Sequence, residues 1–378
     1  MADDRVRLAR AYLLRVAEPP APAVVRFVAE HGPEVAARLV REARVPAGVQ
    51  KATGARRELD RSEEDLRLAE AVGARLVTPE DDEWPAAAVH CFDLCGHEHL
   101  AAPLALWVRG PGQLGALTDR SVAIVGARAS SGYGDHVANS LGYGVAGSGC
   151  TVFSGAAFGI DGAAHRGALA AGGATVAVLA CGIDQFYPAA HERLIQEIGA
   201  TGLVVSEYPP GSSPARHRFL VRNRLIAGLA AGTVVVEAGW RSGARRTASD
   251  ASLLGRPVMA VPGPVTSTSS MGCHRLLREP GTVAVTTAEE ILEEVGRIGI
   301  DLARSPTVGA RRRTDGLASD VLRVHEALPI RKVAQIPQLS VESGLPAELV
   351  RGALAQLQRR GLAEQVTGGW RLAPGAAP

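Results

Sequence analysis

Short apolar runs alternate with amphipathic segments through the middle of this chain. The runs lie at 121–125, 151–154, 174–180, 202–206, 232–237, 257–261 and 282–285, and each predicts a strand. Several are almost continuously apolar, as expected for parallel strands that helices cover on both faces. Because helical patterns fill the intervals, the sequence predicts an α/β fold with an extended, Rossmann-like, doubly wound and mostly parallel sheet.

Helical periodicity flanks this central region on both sides. Residues 1–75 predict a small helical, SAM-like domain, and residues 76–301 the sheet domain, with 76–120 as a connecting region. The Pro-, Gly- and Arg-containing segment 302–316 predicts a linker. Residues 317–378 predict three helices and a hairpin, the pattern of a winged helix. Each flanking domain is compatible with binding to DNA phosphates or with docking to a protein.

The net charge does not indicate a binding partner, but one region of the chain is strongly basic. The formal net charge is only +2 over 378 residues. Between Pro210 and Arg256, however, eight arginines stand against two acids, Glu237 and Asp250. The N-terminus lacks the apolar core of a secretory signal, and no apolar run reaches the roughly 18 residues needed to span a bilayer. Five scattered cysteines do not suggest a disulfide framework, so we expect a cytoplasmic protein with no membrane span.

The turn after the first strand of this region predicts an anion site. Gly126, Arg128, Ser131 and Gly132 lead from that strand into a helix. Backbone N–H groups at a helix start attract negative charge, and an arginine adds donors that match a phosphate. The spacing is neither GxGxxG nor GxxxxGK[ST]. A mononucleotide, a dinucleotide and a nucleic-acid backbone therefore all remain candidate ligands.

Further candidates follow the other strands, because ligands of such sheets bind beyond the carboxyl ends of the strands. The additional binding residues predicted in this way are Ser154, Gly155, Phe158, Gly159, Arg216, Arg218, Arg222, Asn223, Arg245 and Arg246. Amides and guanidinium groups hold phosphates, and aromatic rings stack on bases. The alternative for Arg222 and Arg224 is an ion pair with Glu207 or Glu237.

Other reactive side chains give weaker signals. Asp161 and His165 lie four residues apart and could form an acid–base pair, although a structural aspartate at a helix start is the simpler interpretation. Cys181 could be a nucleophile but has no neighbouring base in the sequence. The Cys and His residues between 90 and 99 fit no standard zinc spacing. We therefore expect no metal and no cofactor.

Seven motifs occur together and in order. They are VGARASSGYG (125–134), SGAAFGIDGAAHRGAL (154–169), GIDQFYP (182–188), SEYPPG (206–211), FLVRNRLIAGLA (219–230), VVVEAG (234–239) and VMAVPG (258–263). Across about 78–298 this series resembles the DNA-processing protein A family (DprA, also called Smf). The flanking domains also resemble variants of that family.

The resemblance implies a non-enzymatic protein that binds single-stranded DNA, forms a homodimer, protects incoming DNA and loads the RecA recombinase in natural transformation. It places Arg128 on the DNA phosphates, with Arg222 and Asn223 beside the same groove. The chain also departs from the family pattern. Arg245 and Arg246 stand where apolar residues are usual, His274 replaces an asparagine, and Leu220 replaces the proline that often follows the position of Phe219.

Two alternatives remain. Related sheets in nucleotide phosphoribohydrolases carry a Pro-Gly-Gly-x-Gly-Thr-x-x-Glu pattern at the corresponding strand end. Here Glu237-Ala238-Gly239-Trp240 stands instead, and Asp250 is the acid that follows. The third interpretation is a protein-docking adaptor, against which length-dependent binding of single strands would argue.

Overall fold

The computed structural model describes residues 3–296, 301 and 313–374. The chain divides into two compact units, Met1–Ala303 and Arg304–Pro378. Most of the predicted linker, 302–312, lies outside the described residues, as does 375–378. No helix in the described ranges is long and apolar enough to cross a bilayer.

The first unit is built on one sheet, to which nine strands of the described residues contribute. The strands are β1 (Ala74–Val77), β2 (Leu106–Arg109), β3 (Ser121–Val125), β4 (Thr151–Ser154), β5 (Thr175–Leu179), β6 (Leu203–Ser206), β7 (Thr233–Val235), β8 (Val258–Ala260) and β9 (Thr282–Ala284). Their order across the sheet is β1-β2-β6-β5-β4-β3-β7-β8-β9. The strands from β3 to β9 pair in parallel, whereas β1 and β2 form an antiparallel edge on β6.

The chain order of the parallel strands confirms the doubly wound prediction. From β3 the chain moves outward through β4 and β5 to β6, then returns to place β7 on the other side of β3. The connections therefore diverge between β3 and β7, which is the switch point where sheets of this type leave a crevice. All seven predicted strands are present, shortened by up to two residues at either end.

Helices cover both faces of this sheet. One face carries α6 (Ala86–Cys95), α7 (Leu114–Asp119), α11 (Arg216–Leu229), α12 (Ala244–Leu253) and α13 (Met271–Leu276). The other carries α8 (Gly132–Gly147), α9 (Ile160–Ala170), α10 (Glu192–Thr201) and α14 (Ala288–Val295). Alternate residues of β3 enter opposite cores: Ala123 faces the first set, and Val122 and Ile124 face the second. This two-sided burial explains why the strands have no polar face.

The predicted connecting region is more ordered than its sequence pattern indicated. It contributes the second half of β1, all of β2, and helices α6 and α7. Both strands are four residues long, and β1 carries Arg75 at its centre, whose guanidinium pairs with Glu83. Short strands with a charged residue give no clear alternation, so periodicity could not identify them.

Five helices of the described residues precede the sheet. They are α1 (Asp4–Val16), α2 (Pro22–His31), α3 (Pro33–Arg41), α4 (Ala47–Thr53) and α5 (Ser62–Ala71). Their apolar residues form one continuous core with Trp107, Leu179, Ile195 and Val204 of the sheet layer. The predicted boundary after residue 75 falls inside β1.

The second unit contains three helices and a hairpin. They are α15 (Ser319–Ala327), α16 (Ile336–Ser343), α17 (Ala347–Arg359), β10 (Ala363–Val366) and β11 (Gly369–Leu372). A bridge from Ala334 to Trp370 joins the segment before α16 to the hairpin. The unit has its own core, centred on Val324, Leu339 and Leu354. This order of elements matches the predicted winged-helix pattern, although the assignment to that class stays a prediction.

Candidate nucleic-acid interface

A cleft of about 900 Å³ opens at the switch point between β3 and β7. The residues after β3 form one wall, the segment after β7 forms another, and the first turns of α11 form a third. Its lining includes Gly126, Arg128, Arg216, Arg222 and Asn223 from the sequence prediction. The structure thus brings together five candidates from segments that are distant in the chain.

At the start of α8, the amides of Ser131 and Gly134 already have acceptors within the protein. Ser131 caps the helix by accepting a hydrogen bond from the Gly134 amide, at 3.1 Å. The Glu237 carboxylate accepts two more hydrogen bonds, from the Ser131 amide at 2.8 Å and from the Ser131 hydroxyl at 2.7 Å. A protein carboxylate therefore occupies the anion position that was predicted for a phosphate. Ser131 leaves the set of ligand contacts and becomes a structural cap.

Arg128, unlike Ser131, is exposed in the cleft. It is exposed on the turn after β3, and its guanidinium carbon lies 4.9 Å from the centre of the Phe219 ring. Tyr187 also contacts that ring, with the two ring centroids 5.2 Å apart. A cation held over an aromatic face keeps its donors available for a further partner. Arg128 and Phe219 thus form an exposed cationic and aromatic surface at the cleft wall.

Arg222 is a buried wall residue rather than a flexible contact. Only 4% of it is exposed, and its Nη1 donates to the Gly155 carbonyl at 2.8 Å and to the Val178 carbonyl. A Cβ on Gly155 would lie 2.3 Å from that nitrogen, so glycine is required for the approach. Burial raises the pKa of Asp161, and the nearby guanidinium of Arg222 opposes the rise. The Gly155 amide also donates to Asp161 at 3.1 Å, which confirms a structural role for this carboxylate.

Arg218, which was predicted for the groove, and the nearby Arg224 are both directed elsewhere. Arg218 points toward the N-terminal helices, where its Nε donates to Glu18 at 2.8 Å and its Nη1 donates to the Ser213 carbonyl. Arg224 is buried and donates to both carboxylate oxygens of Glu207, at 2.7 and 2.8 Å. Arg218 is therefore removed from the contact set. The alternative of an internal ion pair is confirmed for Arg224.

The two unusual arginines of α12 also lie outside the cleft lining. Arg245 donates to the Trp240 carbonyl at 2.9 Å. Arg246 donates to Asp250 at 2.9 Å, and His99 approaches the same carboxylate at 3.8 Å. Asp250 is 1% exposed, and burial raises its pKa while Arg246 opposes the rise. The acid required by the hydrolase alternative is thus buried and paired away from the cleft.

The remaining candidates divide between packing and surface positions. Ser154 is fully buried and donates to the Ile124 carbonyl at 2.6 Å, so it cannot contact a ligand. Gly159 has φ +74°, and a Cβ there would lie 2.3 Å from the Ala127 carbonyl, so glycine allows the start of α9 to approach the turn that carries Arg128. Gly132 is exposed at the first residue of α8. Phe158 is 47% exposed, yet it packs edge-on against His191 outside the cleft lining.

The other reactive groups are structural. His165 is fully buried, and its Nδ1 lies 2.7 Å from the Thr175 hydroxyl, which itself donates to the Val152 carbonyl. Nδ1 must therefore carry the proton, and burial lowers the pKa of His165 to about 3. Cys181 is also buried, which raises its pKa to about 11, so the nucleophile alternative is wrong. Among the described residues no group of three or more His, Cys, Asp or Glu side chains could hold a metal ion.

Sequence reasoning missed three residues that complete the cleft. Phe219, Trp240 and Arg241 all line it, and Trp240 is 52% exposed. Phe219 opens the same helix as Arg222, and the other two follow β7, so their post-strand positions were the available signal. His274, which replaces an asparagine of the family pattern, contacts the backbone: its Nε2 lies 3.0 Å from the Gly263 carbonyl oxygen.

Sequence and structure comparisons relate this chain to known proteins. Residues 75–296 match the sequence profile described as DNA recombination-mediator protein A. The chain is 49% identical to the "Putative DNA processing protein DprA" of Mycobacterium tuberculosis, over 98% of this chain and 95% of that protein. It is similar to the X-ray structure of DNA processing protein A from Streptococcus pneumoniae, with a TM-score of 0.63 and 31% identity. That match covers 79% of this chain and 100% of the other.

Proposed function

This chain belongs to the DNA recombination-mediator protein A family, and from that premise we propose that it binds single-stranded DNA without reacting with it. The observation that carries the proposal is the cleft at the switch point. Arg128, Arg216 and Arg241 are exposed in its lining, and within the described residues none of the three forms an ion pair. Unpaired guanidinium groups in an open cleft suit an extended polyphosphate.

The aromatic residues of the cleft support a single strand over a duplex. Phe219 and Trp240 can contact only bases that have left the duplex stack. Base readout in a duplex would instead require a helix or ribbon in a groove. The contacts on offer are guanidinium groups and rings, so we expect little sequence preference.

We further propose that catalysis is absent and that no cofactor is used. The support is the placement of the acids: Asp250 is paired with Arg246, Asp161 lies against Arg222, and Glu237 caps α8. Each carboxylate in or beside the cleft thus has a structural partner.

The proposed partners other than DNA are inferred only from the family to which the chain belongs. A mediator of recombination acts between single-stranded DNA and a recombinase, so we propose RecA loading, protection of incoming DNA, a homodimer and a cytoplasmic location. The second unit is proposed to be a winged helix. Arg351 and Arg359 are exposed on α17 and Arg360 is exposed directly after it, which suits docking to DNA phosphates or to an acidic protein surface.

A comparison of single- and double-stranded oligonucleotides tests the central proposal. We expect the full chain to prefer the single strand in an anisotropy titration, and Arg128→Glu to reduce that affinity at least tenfold. Arg193→Glu is the matched control, because Arg193 is exposed on α10, outside the cleft lining. Equal affinity for both DNA forms, or a normal isotherm for Arg128→Glu, would refute the proposal.

A further inference from the structure

A second groove of about 460 Å³ adjoins the cleft, and the two share Trp240 and Met271 in their linings. The remaining residues of this groove are Val265, His274, Arg275 and Arg278. Trp240 therefore stands between the two cavities.

The environment of Trp240 fits a stacking platform. Its ring is half-exposed, and the guanidinium carbons of Arg275 and Arg245 lie 5.0 and 5.8 Å from its centre. Arg245 also donates to the Trp240 carbonyl at 2.9 Å, which fixes the backbone that carries the ring. A half-exposed indole leaves apolar ring surface in contact with water, and a base that stacks on it would remove that surface from water.

The second groove has the same charge character as the cleft. Arg275 and Arg278 are exposed in it, and its lining contains no carboxylate. Arg275 approaches Glu279 at 3.8 Å, but both side chains are half-exposed, so this pair contributes little. The exposed apolar side chains of Val265 and Met271, at 88% and 43%, add surface for a base or sugar.

We propose that a single strand bound in the cleft passes over Trp240 and continues in the second groove, with one base stacked on the indole and the phosphates beyond it on Arg275 and Arg278. This inference rests on the proposed function and defines the path of its ligand. The unusual arginine Arg245 would then position the platform rather than contact the strand.

Oligonucleotides of different lengths distinguish binding to the cleft alone from binding to both cavities. We expect affinity to rise across a series from about 4 to about 16 nucleotides, because longer strands reach both grooves. Trp240→Ala should lower the affinity of the longest strand by roughly 5- to 150-fold, the effect of losing one base–aromatic stack. Arg278→Glu should weaken binding of the longest strand and leave the shortest unaffected, because Arg278 lines the second groove and not the cleft. Arg193→Glu is the charge-matched control.

Tryptophan fluorescence gives a second readout. The other tryptophans, Trp84, Trp107 and Trp370, are buried or half-buried, so quenching by a long oligonucleotide should come mainly from Trp240. Trp240→Phe should keep the affinity and lose most of the quenching, which also shows that the site remains folded.

The outcomes distinguish this inference from the proposed function. If Arg128→Glu abolishes binding at every length while Arg278→Glu matches the wild type at every length, the path is wrong and the cleft stands. If Trp240→Ala changes the oligomeric state in sedimentation with unchanged DNA affinity, the groove belongs to a second copy and the path is again refuted. If Arg128→Glu has no effect, the proposed function fails first.

Discussion

The salt dependence of binding to the cleft can be calculated from its exposed arginines. In the described part of the chain these are Arg128, Arg216 and Arg241. Each phosphate neutralised on a single strand contributes about 0.7 to the slope of log affinity against log salt, so three give about 2.1. Affinity for a short strand should then fall about 18-fold between 50 and 200 mM salt. Arg128→Ala should reduce the slope to about 1.4 and the loss to about sevenfold.

The assay is an anisotropy titration at four or five salt concentrations with the shortest labelled oligonucleotide that binds. Arg216→Ala should reproduce the change of slope, and Arg193→Ala should not alter it. The reasoning is refuted if Arg128→Ala weakens binding equally at every salt concentration. A parallel shift would mean that Arg128 acts by supporting Phe219 and not by pairing with a phosphate.

Three further perturbations test other parts of the structure. Phe219→Ala should cost about 1–3 kcal/mol of single-strand affinity in the same titration, whereas Phe158→Ala should have no effect, and equal losses would place the stacking site outside the cleft. Glu237→Ala removes the charged acceptor of Ser131 and should lower the free energy of unfolding by about 2–4 kcal/mol in urea; a loss below about 1 kcal/mol would contradict the capping role. His165 is neutral when folded, with a pKa of about 3, but takes up a proton near pH 6.5 when unfolded. Its contribution is therefore lost as pH falls from about 6.5 toward 3, and the wild type should lose about 2 kcal/mol between pH 7 and pH 5 relative to His165→Gln. Parallel pH profiles for the two proteins would show that this histidine is not responsible.

The sheet was predictable because each of its parallel strands is marked by a short run of apolar residues. Seven apolar runs bounded by turn residues identified seven strands, and the alternation with helices gave their doubly wound arrangement. The crevice followed from that arrangement, which is why Arg128, Arg216 and Asn223 were found by position alone. The antiparallel edge was missed, because it lies in the segment assigned to a connection and because Arg75 interrupts the apolar residues of β1.

The roles of individual polar residues were less predictable. Arg218 and Arg222 lie on one helix, yet the first pairs with Glu18 about 200 residues away and the second with carbonyls of two strands. The Ser131 hydroxyl donates a hydrogen bond to Glu237, which lies on the other side of the switch point. Such partners are set by tertiary contacts, and a composition count of arginines cannot separate a buried donor from an exposed one.

The bond between Glu237 and Ser131 joins the two halves of the sheet where their connections diverge. It ties the end of the β7 segment to the first turn of α8, and so the base of the crevice is held closed from within before any ligand arrives. A rigid floor loses no conformational freedom on association. If the proposed function holds, the entropy lost on binding would fall on the incoming strand and on the exposed guanidinium groups of the cleft. A long polymer could then shift its register along such a surface without the protein having to refold around it.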